Sequence, residues 1–341
     1  MKLRTIIDKI CCFIFGDVKE DVITHNGFSS LTINEYKHIK PNEYKHGGKI
    51  SDELALLGAI LGDIVGSSYE LKGTRIKTTE FELFPDSATY TDDTVITVAV
   101  AKWLSKQNCI PKDSKGLVEI MKEIGNRYME VGYGHSFKQW LKSDSPKPYG
   151  SFGNGSAMRV AAAGLFGLSL KDCQQIARIT AGVSHNHIEG IKGAEAVASA
   201  IRMAKCHYTK DCIKKYIESK YSYNLSRSLD EIRPNYGFDP TCQGSVPEAI
   251  ICFLESTDME SAIRNAVSLG GDADTQACIA GAIAGAYYGS MPEAFWKKIQ
   301  CIIPEEFVDI LSDFVGHNNL LEKTICEDPQ EDKKEILSMV M

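Results

Sequence analysis

Gly270-Gly271-Asp272-Ala273-Asp274-Thr275 runs without a break into Gln276-Ala277-Cys278-Ile279-Ala280-Gly281-Ala282-Ile283-Ala284-Gly285-Ala286-Tyr287-Tyr288. A glycine pair, two carboxylates and a threonine thus open a long Ala/Gly-rich segment of helical spacing. Ala277, Gly281, Gly285 and Gly289 lie four apart, as do Gly58, Gly62 and Gly66. Each glycine inside a helix costs about 1 kcal/mol against alanine, so stripes of small residues on one helix face are read as sites where two backbones approach closely. Outward from this segment, apolar residues recur at three- and four-residue spacing over 54–65, 94–104, 117–129, 155–165, 188–204, 247–254, 262–269 and 276–288. Alternating strand-like runs are scarce, so the fold class is all-α.

The chain has 341 residues, 43% hydrophobic and 24% charged, which excludes collagenous, low-complexity and wholly disordered classes. Lys and Arg total 38 against 45 Asp and Glu, a net charge of −7. A general nucleic-acid binder carries a basic excess, so no nucleic-acid partner is expected. The longest nearly uncharged stretch, 277–291, is too short and too glycine-rich to span a bilayer, so no membrane is expected. The basic start Met1-Lys2-Leu3-Arg4 is followed by Asp8 and Lys9, which interrupt the apolar run of a secretory signal. Eleven scattered cysteines without a CxxC read as reduced, mostly buried thiols of a cytoplasmic protein.

Three segments follow. Residues 1–50 read as an N-terminal arm: Leu3, Ile6, Ile7, Ile10 and Ile14 fit a short amphipathic helix, and Asn34-Glu35-Tyr36-Lys37-His38 is echoed by Asn42-Glu43-Tyr44-Lys45-His46. Residues 51–315 form the main domain, within which 206–242 reads as a surface helix and a long loop. Residues 316–341 read as a charged tail.

Two acidic clusters stand at helix starts. One is Thr91-Asp92-Asp93-Thr94; the other is Asp272-Ala273-Asp274-Thr275. N-capping accounts for one such residue per helix start. Adjacent carboxylates repel one another unless a cation sits between them. These are hard oxygen donors with no Cys or His, which suits Mg²⁺ or Mn²⁺ better than Zn²⁺. Capping and metal binding both stand as readings, and the glycine pair favours a turn that aims the second cluster inward. Asp63 and Glu70 are seven apart and share a face if their helix continues; the pair reads as a solvated face or, with Glu70 reaching a metal-bound water, as a place for general acid or base work. The loop Gly150-Ser151-Phe152-Gly153-Asn154-Gly155-Ser156 runs into helix-like Ala157-Met158-Arg159-Val160, which reads either as a simple loop with left-handed glycines or as an arrangement whose amides suit a diphosphate. Ser184-His185-Asn186-His187 reads as a polar loop or, less simply, as a pair of alternating metal ligands.

In this order, the Asp63–Glu70 segment, Thr91-Asp92-Asp93-Thr94, Ser151–Gly155 with Ala157-Met158-Arg159, Ser184-His185 leading to Gly190 and Gly193, and Gly270–Thr275 are similar to the ADP-ribosylglycohydrolase family. That family includes the dinitrogenase-reductase-activating glycohydrolase and the ADP-ribosyl-acceptor hydrolases. The resemblance covers roughly residues 54 to 290 and implies a compact orthogonal helical bundle with a binuclear Mg²⁺ or Mn²⁺ centre. By motif matching, Thr91, Asp92, Asp93, Asp272, Asp274 and Thr275 would be metal ligands, with Asp63 supporting them from behind. Glu70, Asp92 and Asp274 would be catalytic, and Ser151, Phe152, Gly153, Asn154, Gly155 and His185 would line the ADP-ribose pocket.

The implied reaction is hydrolysis of the bond between ADP-ribose and a protein side chain, with arginine the first acceptor by analogy and serine-linked or O-acetyl-ADP-ribose as alternatives. An immunity role is a further alternative, in which the arm of residues 1–50 plugs an ADP-ribosyltransferase toxin. The aspartate-rich motif of prenyl-diphosphate enzymes would require an acid at position 96, which is Ile96.

Overall fold

The computed structural model describes residues 51–71, 73–324 and 330–340. The expected N-terminal helix and the paired Asn-Glu-Tyr-Lys-His units of residues 1–50 lie outside these. Among the described residues there are fifteen α-helices and no strands, only an isolated bridge between Gly153 and Thr241. In chain order the helices are α1 (Ser51–Ser67), α2 (Asp92–Leu104), α3 (Leu117–Arg127), α4 (His135–Lys142), α5 (Ala161–Phe166), α6 (Leu170–Gly182), α7 (Ile188–Lys205) and α8 (Lys210–Tyr221). They are followed by α9 (Leu229–Ile232), α10 (Cys242–Leu254), α11 (Met259–Ser268), α12 (Ala273–Tyr288), α13 (Glu293–Ile302), α14 (Glu305–Thr324) and α15 (Gln330–Val340).

α12 is buried from Ala273 to Ala286, and a helix apolar on all sides belongs at the centre of a bundle. α1, α7, α10 and α11 pack around it, α1 most extensively. The small-residue stripes set that crossing. A Cβ on Gly58 would lie 2.1 Å from the Gly281 carbonyl oxygen, one on Gly62 2.0 Å from that of Ala277, and one on Gly66 2.4 Å from that of Ala273. Rising numbers on α1 meet falling numbers on α12, so the pair is antiparallel. The C-terminal end of α1 therefore lies beside the N-terminal end of α12. Gly289, at φ 60°, closes α12 with a left-handed cap.

Three expectations change. The helix expected over 155–165 is broken into a single 3₁₀ turn, Asn154–Ser156, and the short α5. Side chains between them turn inward: the Ser156 hydroxyl donates to the Gly190 carbonyl at 2.8 Å, and the Arg159 guanidinium donates to the Thr180 carbonyl at 2.6 Å. α1 stops at Ser67, so Asp63 and Glu70 do not share a helix face. Finally, the boundary expected at 315/316 falls inside α14, and residues 330–340 form a helix where a loose tail was expected. The buried Asp332 carboxylate accepts the Leu170 N–H at the start of α6, at 3.0 and 3.1 Å. Residues 206–242 do hold a helix and a long loop, with the one-turn α9 between.

Candidate active site

Three helix ends meet at one place. α1 brings Asp63 on its last turn, α2 begins with Asp92 and Asp93, and α12 begins between Asp272 and Asp274. The turn into α12 needs both glycines. Gly270 has φ 64°, and a Cβ on Gly271 would lie 2.4 Å from the Tyr236 ring. Thr91 caps α2, its hydroxyl accepting the Asp93 N–H at 3.3 Å. Asp272 occupies the corresponding position before α12 but makes no side-chain capping bond there. Capping alone therefore does not account for the second cluster.

Asp63 ties α1 to the start of α2. Its Oδ2 accepts the N–H groups of Thr91 at 2.9 Å and Thr94 at 3.0 Å together with the Thr94 hydroxyl; Oδ1 accepts the Thr91 hydroxyl at 2.7 Å. The Thr275 hydroxyl donates to Asp93 Oδ2 at 3.2 Å. Asp93 Oδ1 is buried and has no partner among the described residues. Asn154 donates to Asp272 Oδ2 at 2.7 Å and to the Ser245 hydroxyl at 3.2 Å. Carboxylate oxygens of Asp63, Asp93 and Asp274 lie within 4.8 Å of one another, and so do those of Glu70, Asp272 and Asp274. Asp274 joins the two groups, with the Thr91 hydroxyl 3.5 Å from its Oδ2. Asp92 belongs to neither group; a Cβ on Gly132 would lie 3.7 Å from its Oδ1.

Burial raises every one of these acids. It outweighs the four hydrogen bonds on Asp63. Burial and then the neighbouring Asp63 push Asp92 up to about 8. Asp93 and Asp274 are held well above the usual carboxylate range by burial and then by the acids beside them. Asp272 rises through burial, and Glu70 through burial and then the Asp272 charge. Six acids that cannot comfortably ionise together form a site that a divalent cation would relieve. The all-oxygen donors, with one buried carboxylate oxygen unpartnered, fit a hard cation. Thr91 and Thr275 spend their hydroxyl protons on carboxylates; the Thr91 oxygen also accepts the Asp93 N–H, which leaves it one lone pair to offer a cation, and Thr275 offers its own.

The glycine-rich loop lies on the Asp272 side, through Asn154. Its amides are less free than the sequence suggests. Gly150 N–H donates to Asn186 Oδ1 at 2.7 Å, Gly153 N–H to the Ser151 hydroxyl at 3.1 Å and Asn154 N–H to the Pro240 carbonyl at 2.8 Å. No α-helix starts at its end. Phe152 is exposed, its ring edge-on to His187 at 5.3 Å. His185 is buried against the loop, and a Cβ on Gly155 would lie 3.1 Å from its Nε2. The two histidines do not act as a pair: His185 Nδ1 meets the Ser184 hydroxyl at 2.8 Å, whereas His187 Nδ1 accepts the Glu189 N–H to cap α7.

Sequence reading gave no role to Ser245 or Arg75, and placed Thr94 in the first acidic cluster only as a flanking oxygen donor. Thr94 closes the quoted acidic motif and was legible as a partner for some carboxylate. Ser245 and Arg75 carry no local signal. Arg75 Nε donates to the Glu70 carbonyl at 2.7 Å while its guanidinium lies 4.6 Å from the centre of the exposed Phe238 ring.

A carboxylate-rich centre where helix ends converge in an all-α bundle is what the resemblance to the ADP-ribosylglycohydrolases implies. The sequence model of that family, described as ADP-ribosylglycohydrolase, matches residues 54–324, and the chain belongs to this family of hydrolases. The human ADP-ribosylhydrolase ARH3 is 30% identical over 71% of this chain and 87% of its own length. The mouse ADP-ribosylhydrolase ARH3 is 29% identical over 71% of this chain and 85% of its own. A solved structure described as an ADP-ribosylglycohydrolase-related protein complex has a TM-score of 0.62 at 22% identity, covering 80% of this chain and 99% of that one. That likeness is one of fold. No described helix is long and apolar enough to cross a membrane.

Proposed function

We propose that this chain removes ADP-ribose from a modified protein side chain by hydrolysing the bond at the distal ribose C1″, with two divalent cations, Mg²⁺ or Mn²⁺, at the acidic centre. The observation that carries this reading is the buried group of acids with the unpartnered Asp93 Oδ1, in a chain of this family. Asp92, Asp93, Asp272, Asp274, Thr91 and Thr275 would hold the cations. Bound there, the cations supply Lewis acidity toward the ribose hydroxyls and a water.

The chain's own groups have separate tasks. Glu70 is half-buried and held above the usual carboxylate range by burial and then by Asp272, which favours its acid form for giving a proton to the leaving atom, after which it takes one from water. Asp63 fixes the first turn of α2, and with it Thr91, Asp92 and Asp93. Asn154 orients Asp272. Ser151, Phe152, Gly153, Gly155 and His185 line the nucleotide-sugar side.

Arginine is the acceptor that the family resemblance puts first. Arg75 favours a second reading. Its charge acts on both Glu70 and Asp272, so a cationic arginine acceptor would approach against a like charge. A serine hydroxyl or an acetyl ester would not. Mass spectrometry of arginine- and serine-ADP-ribosylated peptides, incubated with purified protein and Mg²⁺, Mn²⁺ or EDTA, decides. Release of ADP-ribose from one peptide, abolished by EDTA, is expected. If neither peptide is cleaved with either metal, or EDTA changes nothing, the proposal is wrong.

A further inference from the structure

Behind the glycine-rich loop lies a buried polar chain, Arg159–Ser184–His185, of which the proposed reaction gives a role to His185 alone. Arg159 is fully buried three positions beyond Ser156, its guanidinium 5.8 Å from the centre of the Phe137 ring. One of its terminal nitrogens donates both to the Thr180 carbonyl at 2.6 Å and to the Ser184 hydroxyl oxygen at 2.9 Å. The Ser184 oxygen is in turn 2.8 Å from His185 Nδ1. A serine hydroxyl carries one proton. Its oxygen already accepts from a guanidinium that has no lone pair to offer in return, and among the described residues His185 Nδ1 is the only acceptor that the hydroxyl meets. The proton therefore goes to Nδ1, which must hold a lone pair. A neutral imidazole with a lone pair on Nδ1 carries its proton on Nε2.

Nε2 faces the loop. A Cβ on Gly155 would lie 3.1 Å from it and one on Gly153 3.6 Å. The loop has no side chain at either position, so Nε2 lies directly against the backbone of the segment proposed to bind the nucleotide sugar. Tyr149 at 5.6 Å and Phe137 at 6.4 Å wall the ring on its other sides, and Tyr149 N–H donates to the Ser184 carbonyl at 3.1 Å, holding the two segments together. Burial, and then the Arg159 charge, keep the His185 ring well below the usual histidine range, so it is neutral near pH 7.

We infer that Ser184, itself set by the buried Arg159, locks His185 into the Nε2–H form, so that the imidazole meets an oxygen of bound ADP-ribose as a hydrogen-bond donor and serves neither as a base nor as a metal ligand. The ligand in this statement rests on the function proposed above; the tautomer does not. Arg159 and Ser184 are positioning residues that act through His185.

The test uses the full chain labelled with ¹⁵N-histidine, with His185 assigned by comparison with His185→Gln. The expected spectrum has a protonated-type Nε2 and an unprotonated-type Nδ1 before any ligand is added. Ser184→Ala removes the donor to Nδ1 while Arg159 keeps the Thr180 carbonyl, so the spectrum should become that of mixed tautomers. ADP-ribose affinity should then fall roughly five- to tenfold, about the worth of one hydrogen bond. Ser184→Thr, which keeps the hydroxyl, should restore both readouts. A protonated Nδ1 in the unmutated chain overturns the inference, as does a Ser184→Ala protein with unchanged tautomer and affinity. If the unmutated chain shows the Nε2–H form but binds no ADP-ribose with Mg²⁺ or Mn²⁺ present, the proposed function fails and takes the ligand half of the inference with it, whereas the tautomer half stands on the spectrum.

Discussion

Gly66→Ala and Gly285→Ala make the same kind of insult at opposite ends of the α1–α12 crossing. A Cβ on Gly66 would lie 2.4 Å from Asp274 Cα and 2.5 Å from Asp274 N; one on Gly285 would lie 2.0 Å from the Leu54 carbonyl oxygen. Non-bonded carbons rest about 3.5–4.0 Å apart, so each substitution must force the helices apart by about 1 Å. Overpacking of this kind costs about 1–3 kcal/mol, sometimes more. The two sites differ in what moves. Residues 274 and 285 are eleven positions apart, about 16 Å along a helix. Only Gly66→Ala displaces the backbone that carries Asp274, the acid common to both carboxylate groups. Metal sites tolerate donor errors of only about 0.2 Å, so a 1 Å displacement should weaken Mn²⁺ binding by at least about tenfold. The assay is thermal unfolding of each protein across a Mn²⁺ series, with calorimetric titration where the protein permits. Both variants should melt lower than the unmutated chain in EDTA. Gly285→Ala should regain the normal metal-induced rise in melting temperature, and Gly66→Ala should not. Equal metal affinity in the two variants would refute the claim that this crossing sets the acidic centre.

Three further outcomes follow from the same geometry. Asp63→Ala leaves the N–H groups of Thr91 and Thr94 without their acceptor; at about 1–3 kcal/mol for each buried donor, urea denaturation should show a loss of several kcal/mol, and Asp63→Asn, which keeps one acceptor oxygen, should lose less. The Asp92 carboxyl is raised to about 8 from about 3.9 in an unfolded chain, so its contribution to stability is fully present below pH about 4 and is lost as pH rises through about 8. Melting temperature in EDTA should fall across that window, and Mn²⁺ should flatten the fall; a flat profile in EDTA counts against the buried acids. Asn154→Ala frees the Asp272 oxygen it now holds at 2.7 Å, and should reduce Mn²⁺ affinity in titration more than it reduces melting temperature.

The helical class was legible because three- and four-residue spacing and the absence of alternation are local properties, and the glycine stripes announced a close crossing without naming its partner. Both acidic turns were legible too, since paired carboxylates at a helix start exceed what a cap requires. What escaped reading is non-local. Whether α1 would persist to Glu70 depends on the chain turning after Ser67, where the Ser67 hydroxyl donates back to the Ile64 carbonyl and Tyr69 N–H to that of Gly66. The helix expected over 155–165 has sound periodicity, but Ser156 and Arg159 are taken by α7 and α6, and tertiary bonds override the pattern. Ser245 and Arg75 reach the centre from segments with no motif of their own.

Burying acids that repel one another opposes folding, so the rest of the structure must hold them together. Two features do so. Backbone contact between α1 and α12 fixes Asp63 relative to Asp274, because glycine leaves those helices no side chain by which to separate. Asp63 then accepts two backbone N–H groups and two hydroxyls from the start of α2, which sets Asp93 against Thr275 across the same gap. The acid most heavily hydrogen-bonded by the protein is thus the one with least capacity left for a cation, whereas Asp93 keeps one oxygen unpartnered. That division argues that Asp63 builds the centre and Asp93 serves it. Asp63→Asn should accordingly shift stability and geometry together, while Asp93→Asn, which removes an acid whose ionisation burial and its neighbours oppose, should raise melting temperature in EDTA above the acid's own range and lose the further rise that Mn²⁺ gives the unmutated chain. An Asp93→Asn protein that is destabilised in EDTA yet still responds to Mn²⁺ would reverse the assignment of the two roles.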